Sequence, residues 1–116
     1  MPRKLRVLVV EDEMLVAMLI EDMLAELGHE VVGPAMRIER ARELAATAAI
    51  DFALLDVNLG GARSTEVAAI LRGRGVPFAF ATGYGSAGLD GADRGTPVLN
   101  KPFGRQELER IVAAAG

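Results

Sequence analysis

The chain has 116 residues, which fits one domain with a real core and is too short for two. Thirteen Lys and Arg against sixteen Asp and Glu leave a formal charge of −3, so there is no general reason for it to bind nucleic acid or an anionic membrane. The absence of cysteine excludes disulfides and thiolate metal sites. No apolar run is long enough to span a bilayer, and the basic start turns acidic at residues 11–13, too soon for a signal peptide. These features predict a cytoplasmic protein.

The first half of the chain alternates strand-like and helix-like segments. Short, largely apolar segments predict strands at 5–10, 30–32 and 51–56, the first of them rich in β-branched residues and the second stopped by Gly33 and Pro34. Apolar residues at three- and four-residue spacing predict helices at 13–27 and 38–49. In the first helix, the residues expected to face the core are Leu15, Met18, Leu19, Met23 and Leu27.

The second half repeats this alternation. Ser64 is the expected N-cap of a helix that runs to about residue 72. Strands are predicted at 78–81 and 96–99, and a final helix at 105–115. Strands that alternate with helices of this length predict an α/β fold, in which helices cover both faces of a parallel sheet.

The segment between the last two strands interrupts the pattern. Residues 83–95 contain five glycines and one large aliphatic residue, Leu89. Each helical glycine costs about 1 kcal/mol relative to alanine, and one leucine cannot anchor a buried helix face. We therefore expect a mostly irregular, mobile loop with at most one helical turn.

Five polar residues lie at or just after the carboxyl ends of the predicted strands, at the end of the sheet where open α/β folds bind ligands. They are Glu11, Asp12, Asp56, Thr82 and Lys101. Three clustered carboxylates repel one another by about 4 kcal/mol per pair at 4 Å and an effective dielectric of about 20, which favours binding of a divalent cation. Oxygen ligands of this kind suit Mg²⁺, which is usually shared with phosphate oxygens.

A carboxylate beside such a cation can act as a nucleophile toward phosphorus. Asp56 is the candidate nucleophile, and Thr82 and Lys101 would offset the charge that develops on the phosphoryl oxygens. Gly83, next to Thr82, would leave space for the incoming donor. Taken singly, each residue could instead be a helix-terminus acid, a turn former or a surface lysine. Their common position at one end of the sheet favours a shared site.

Four segments, in order along the chain, resemble the signature blocks of the response-regulator receiver family, the CheY-like domains. They are residues 10–13 (VEDE), 54–59 (LLDVNL), 81–84 (ATGY) and 101–103 (KPF). The resemblance covers the whole chain and implies a single receiver domain over residues 1–116 with no output domain. It also implies a flavodoxin-like, doubly wound sheet of five parallel strands in the order 2-1-3-4-5.

The resemblance assigns a role to each candidate site residue. It makes Asp56 the phosphoacceptor, with Thr82 and Lys101 in contact with the phosphoryl group. It also implies a magnesium site in which Asp12 binds directly and Glu11 through water. Asp56 itself and the backbone carbonyl of Asn58 complete that site, and a cis peptide is expected before Pro102.

Residues 80–85 (FATGYG) further resemble the motif of the single-domain FATGUY subgroup, which implies a short or disordered fourth helix. Gly83 and Tyr84 would then control access and switching. The family usually has Tyr or Phe two residues before the lysine, where this chain has Leu99, so Tyr84 or the glycine-rich loop is expected to replace that ring. The implied phosphodonor is a sensor histidine kinase, of the HWE type in this subgroup, or a histidine phosphotransfer protein.

The implied function is acceptance of a phosphoryl group from phosphohistidine, followed by signalling to a protein target or by service as a phosphate sink. The chain would catalyse only its own phosphorylation and dephosphorylation. Three alternative functions make different demands on the sequence. An aspartyl-phosphate phosphatase would need an acid where the chain has Asn58, and a flavodoxin-type carrier would need a phosphate loop where residues 11–13 are acidic. A pseudo-receiver that only binds is disfavoured because each expected site residue is present.

Overall fold

Five parallel strands form the central sheet of the computed structural model, which describes residues 4–59, 62–82, 96–101 and 103–115. The strands of this sheet are β1 (Arg6–Val10), β2 (Glu30–Ala35), β3 (Phe52–Asp56), β6 (Phe78–Thr82) and β7 (Val98–Asn100). Two short strands, β4 (Asn58–Leu59) and β5 (Ala62–Arg63), pair only with each other. The sheet order is β2-β1-β3-β6-β7, and every neighbouring pair is parallel. When only the five strands of this sheet are numbered along the chain, this is the predicted 2-1-3-4-5 order of a flavodoxin-like fold.

Four helices in the described part of the chain cover the two faces of the sheet. They are α1 (Met14–Glu26), α2 (Ile38–Thr47), α3 (Thr65–Arg74) and α4 (Arg105–Ala115). Successive strand residues point to opposite faces, so Leu8 and Leu55 pack with α2 and α3, whereas Val9 and Leu54 pack with α1 and α4. The result is two apolar cores, one on each face of the sheet.

The face of α1 that packs on the sheet differs from the expected one. Leu15, Met18 and Leu19 are 82, 52 and 57% exposed, together with Met14 at 62%. The buried residues of the helix are Ala17, Ile20, Met23 and Leu24. Both sets are apolar and both have helical spacing, so periodicity alone could not choose between them. Of the expected core residues, Met23 is buried and Leu27 is partly buried.

The second strand also extends further than predicted. β2 continues through Gly33 and Pro34 to Ala35, and the Gly33–Pro34 peptide is cis. A proline is tolerated here because β2 is an edge strand, where one missing N–H need not break the sheet. Gly33 has a φ of +97°, and the register with β1 shifts between Leu8 and Val10. These residues therefore bend the strand without ending it.

Two features between β3 and α3 were not predicted. β4 and β5 form a small antiparallel pair with Asn58 opposite Arg63. Ser64 does precede α3, but its hydroxyl makes no capping bond, and it donates instead to the carbonyl of Val57 at 3.4 Å. The helix ends at Arg74, two residues beyond the expected end, and is followed by Gly75 with a φ of +73°.

Several sequence-based expectations fall on residues outside the described ranges. These are the mobile loop and short fourth helix at 83–95, the access and switch roles of Gly83 and Tyr84, and the cis peptide before Pro102. Within the described ranges, no helix combines the length and apolar character needed to cross a membrane.

Candidate phosphoacceptor and metal site

The parallel topology brings four strand ends to one end of the sheet. Glu11 directly follows β1, Asp56 is the last residue of β3, and Thr82 is the last residue of β6. Lys101 directly follows β7, and its backbone N–H donates to the carbonyl of Thr82 at 2.9 Å. Residues far apart in sequence thus meet because each one ends or follows a paired strand.

Three carboxylates cluster at this end of the sheet. One oxygen from each of Glu11, Asp12 and Asp56 lies within 4.8 Å of the other two. Glu11 is 1% exposed and Asp56 9%, whereas Asp12 is half-buried. The atoms that could bind a metal are all carboxylate oxygens, and a small cation would relieve the repulsion among the three negative charges. These residues therefore fit the Mg²⁺ ion that the sequence predicts.

The ammonium group of Lys101 lies between two of these carboxylates. Its Nζ donates to Oε1 of Glu11 at 2.6 Å and lies 3.4 Å from Oδ2 of Asp56. Burial alone would lower the pKa of Lys101, but the hydrogen bond that Lys101 donates to Glu11, together with the charges of Asp56 and Glu11, outweighs burial and raises the pKa above 10.5. Lys101 is therefore a firmly held positive charge beside the candidate nucleophile.

The surroundings of Asp56 make its carboxyl group harder to ionise. Burial, followed by the nearby charge of Glu11, raises the pKa of Asp56 from 3.8 to about 7, although Lys101 opposes this shift. The carboxyl group consequently holds its proton far more tightly than an exposed aspartate does. A cation bound among the three acids would favour the ionised form, which is the nucleophilic one.

Two further predicted site residues, Thr82 and Asn58, lie close to Asp56 in the chain or in the sheet. Thr82 is 3% exposed at the carboxyl end of β6, and the backbone of Asn58 lies in β4, two residues after Asp56. Gly83, Tyr84 and Pro102 lie outside the described residues. Leu99 is 4% exposed within the α1 and α4 core, so an aliphatic side chain fills the position where the family usually has an aromatic ring.

One contact within the site was not evident from the sequence. Besides Lys101, the Glu11 carboxylate binds the start of α1, because its Oε2 accepts a hydrogen bond from the backbone N–H of Glu13 at 3.1 Å. The sequence hints at these contacts only through the order of residues 11 and 12, where the longer acid, Glu11, comes directly after the strand. That order does not reveal which groups the carboxylate contacts.

Comparison with known protein families gives one match that spans most of the chain. Residues 7–113 match the model of the response regulator receiver domain. Comparison with curated protein sequences gives no significant match.

Many solved structures share the fold. The solution structure of SdrG from Sphingomonas melonis Fr1 is 42% identical, with a TM-score of 0.85 over 97% of this chain and 96% of that chain. The PhyR response regulator REC domain from Erythrobacter litoralis is 31% identical, with a TM-score of 0.84 over 97% of this chain and 89% of that one. PhyR from Brucella abortus is 29% identical with a TM-score of 0.84, and the match covers 98% of this chain but 48% of PhyR.

Proposed function

The chain belongs to the response regulator receiver domain family of two-component systems, and we propose that it accepts a phosphoryl group on Asp56. The observation that supports this most strongly is the position of Asp56. Its carboxylate lies among two further acids and 3.4 Å from the Lys101 ammonium, at the end of the sheet where α/β folds bind ligands. Receiver domains are signalling domains, so the proposed chemistry is limited to the chain's own phosphorylation and dephosphorylation.

In the proposed reaction an Asp56 oxygen attacks the phosphorus of a phosphohistidine. The P–O bond forms as the P–N bond breaks, and the bonding pair stays with the ring nitrogen. The donor histidine leaves as neutral imidazole when its other ring nitrogen carries the proton. The product on this chain is an aspartyl phosphate.

The site residues would assist this transfer electrostatically. Lys101 is close enough to Asp56 to turn toward a phosphoryl oxygen, and the buried Thr82 hydroxyl is placed at the same strand ends. Glu11, Asp12, Asp56 and the backbone carbonyl of Asn58 would hold Mg²⁺. When bound, that ion would supply positive charge against the phosphoryl oxygens.

We further propose that the donor is a sensor histidine kinase or a histidine phosphotransfer protein, and that the phosphorylated chain acts on a protein partner or serves as a phosphate sink. A partner role is supported by relatives such as PhyR from Bartonella quintana, which is described as an anti-anti-sigma factor. Nothing in these comparisons selects the HWE class among possible kinases. The phosphatase alternative remains disfavoured, because residue 58 is Asn and not a second acid.

Phosphotransfer from purified, autophosphorylated histidine kinases tests this proposal. We expect at least one kinase to lose its label to the wild-type chain within seconds to minutes in Mg²⁺, and to keep it in EDTA. The Asp56→Asn variant serves as the matched control and should accept no label. Transfer to that variant, or no transfer to wild type from any kinase of the source organism, would contradict the proposal.

A further inference from the structure

Two methionines lie on the solvent-exposed face of α1. Met14 is 62% exposed and Met18 is 52% exposed, and because they are four residues apart, they are neighbours on the helix surface. Of the other methionines that the structure describes, Met23 is buried at 8% exposure and Met36 is half-buried. The fold therefore separates one exposed pair of thioethers from two more sheltered ones.

The side chains of this pair carry the chemistry of a two-electron oxidation. The chain has five methionines and no cysteine, so its sulfur is all in thioethers. Hydrogen peroxide oxidises a thioether by transferring one oxygen atom: the S–O bond forms, the O–O bond breaks, and water leaves. The methionine sulfoxide that results is polar, and a reductase with two thiols returns it to the thioether as its own thiols form a disulfide and water leaves.

The exposed face of α1 adjoins the candidate phosphoacceptor site. α1 begins two residues after Asp12, and Leu19, on the same face as the methionine pair, lines a groove of about 300 Å³ whose wall also includes Lys101. A protein that brings a phosphohistidine to the 9% exposed Asp56 has to cover the surface around it. Apolar surface favours such contact, whereas a sulfoxide oxygen buried there needs a hydrogen-bond partner.

We propose that Met14 and Met18 form a reversible oxidation site that lowers phosphoryl transfer from a protein donor. Oxidation makes the first turns of the exposed α1 face polar, while the carboxylates of the pocket keep their chemistry. Transfer from a small donor, which needs only the pocket, stays unchanged. The inference rests on the proposed phosphoacceptor role of Asp56 and adds control of that site by the oxidation state of its surroundings.

Peptide mass mapping after treatment of the full chain with hydrogen peroxide tests the selectivity. Cleavage after glutamate separates the methionines, since residues 14–21 carry the exposed pair, residues 22–26 carry Met23 and residues 31–39 carry Met36. In the native chain, the pair should be oxidised at least about fivefold faster than Met23, and the difference should disappear in concentrated urea. Equal rates in the native chain would overturn the proposal.

Phosphoryl transfer to the oxidised chain, after removal of the peroxide, tests the effect on the site. With an autophosphorylated histidine kinase that labels the untreated chain, oxidation should slow transfer by about fivefold or more, because a buried, unpaired polar oxygen weakens the contact. Labelling by acetyl phosphate in Mg²⁺ should not change. Treatment with methionine sulfoxide reductase should restore the rate with the kinase.

The double variant Met14→Leu, Met18→Leu is the decisive control, since it keeps the face apolar but has no thioether there. Whatever its own rate with the kinase, peroxide treatment should leave that rate unchanged. Met36→Leu is the matched control and should lose transfer after peroxide treatment as wild type does. A loss in the double variant would show that another residue is responsible, and it would overturn the proposal.

The remaining outcomes distinguish this proposal from the phosphoacceptor role. Equal slowing with the kinase and with acetyl phosphate would mean damage to the pocket or the fold, and an unchanged rate with the kinase would mean that the sulfoxides have no effect. Either result would overturn the oxidation site as a control of transfer. An untreated chain that neither donor phosphorylates would refute the phosphoacceptor role and, with it, the effect on transfer, whereas preferential oxidation of residues 14–21 would stand on the mapping alone.

Discussion

Replacing Asp56 with asparagine is expected to stabilise the fold in EDTA at neutral and alkaline pH. The Asp56 carboxylate is 9% exposed, and burial together with the charge of Glu11 raises its pKa from 3.8 to about 7. Asparagine has nearly the same shape without the charge, so it removes both unfavourable effects. Lys101 keeps its shorter contact with Glu11 at 2.6 Å.

The pKa shift sets the size of the effect. One pKa unit corresponds to about 1.4 kcal/mol, so the rise from 3.8 to about 7 limits the cost of the ionised carboxylate to roughly 4 kcal/mol. The variant also loses the attraction between Asp56 and Lys101, which lowers the net gain. We therefore expect Asp56→Asn to raise the free energy of unfolding by about 1–3 kcal/mol near pH 8.

The pH dependence follows from the direction of the shift. The folded state binds the Asp56 proton more tightly than the unfolded state, so the contribution of Asp56 to stability falls as pH rises from 3.8 to about 7. The free-energy cost of ionising the buried carboxyl group is absent below pH 3.8 and complete above about pH 7. The difference between variant and wild type should thus grow from near zero at about pH 4 to its maximum near pH 8, with a slope of at most about 1.4 kcal/mol per pH unit.

Urea denaturation in EDTA at several pH values measures this difference. Asp22→Asn is the matched control, because Asp22 is an exposed acid on α1 and the same substitution there should change stability by less than about 0.5 kcal/mol at every pH. A wild type more stable than Asp56→Asn near pH 8 would refute the reasoning. So would a pH-independent difference, since either result would mean that Lys101 fully compensates the buried charge.

Further predictions concern the acid cluster, the orientation of α1 and the bend in β2. Asp12→Ala should gain on the order of 1 kcal/mol in EDTA and lose the stabilisation that excess Mg²⁺ gives wild type in urea melts. A loss of stability in EDTA would instead make Asp12 a structural residue. Leu24→Ala, at a fully buried position, should lose about 2–5 kcal/mol, whereas Leu15→Ala, at an 82% exposed one, should lose less than about 0.5. Equal losses would contradict the observation that Leu24 is buried against the sheet while Leu15 is exposed. Gly33→Ala should lose more than about 1 kcal/mol by the same assay, because a Cβ at φ +97° would lie 2.7 Å from the backbone nitrogen of Ala35. Unchanged stability would contradict that backbone conformation.

The sequence predicts the sheet and the site for the same physical reason. β3 and β6 are buried along their whole length, so they appear in the sequence as short, nearly continuous apolar segments. Parallel pairing then brings their carboxyl ends together, which places Asp56 near Thr82 without any knowledge of side-chain contacts. Glu11 and Lys101 reach the same place because each follows a neighbouring strand of this sheet.

Other features depend on contacts that the sequence does not reveal. α1 has two apolar stripes, and the one with Ile20 and Leu24 faces the sheet while Leu15 and Leu19 face outward. Gly33 with its following proline predicts the end of a strand, yet an edge strand can bend there and continue. The two contacts of Glu11 require atomic positions, since Lys101 lies at the far end of the chain.

Intact-mass measurement after incubation with acetyl phosphate and Mg²⁺ tests the phosphoacceptor assignment most directly. Wild type should gain the mass of one phosphoryl group, and the gain should disappear when EDTA replaces Mg²⁺. Asp56→Asn, which keeps Glu11, Asp12 and Lys101, should gain nothing under the same conditions. A phosphorylated Asp56→Asn variant, or a wild type whose mass does not change, would contradict the assignment of Asp56 as the phosphoacceptor.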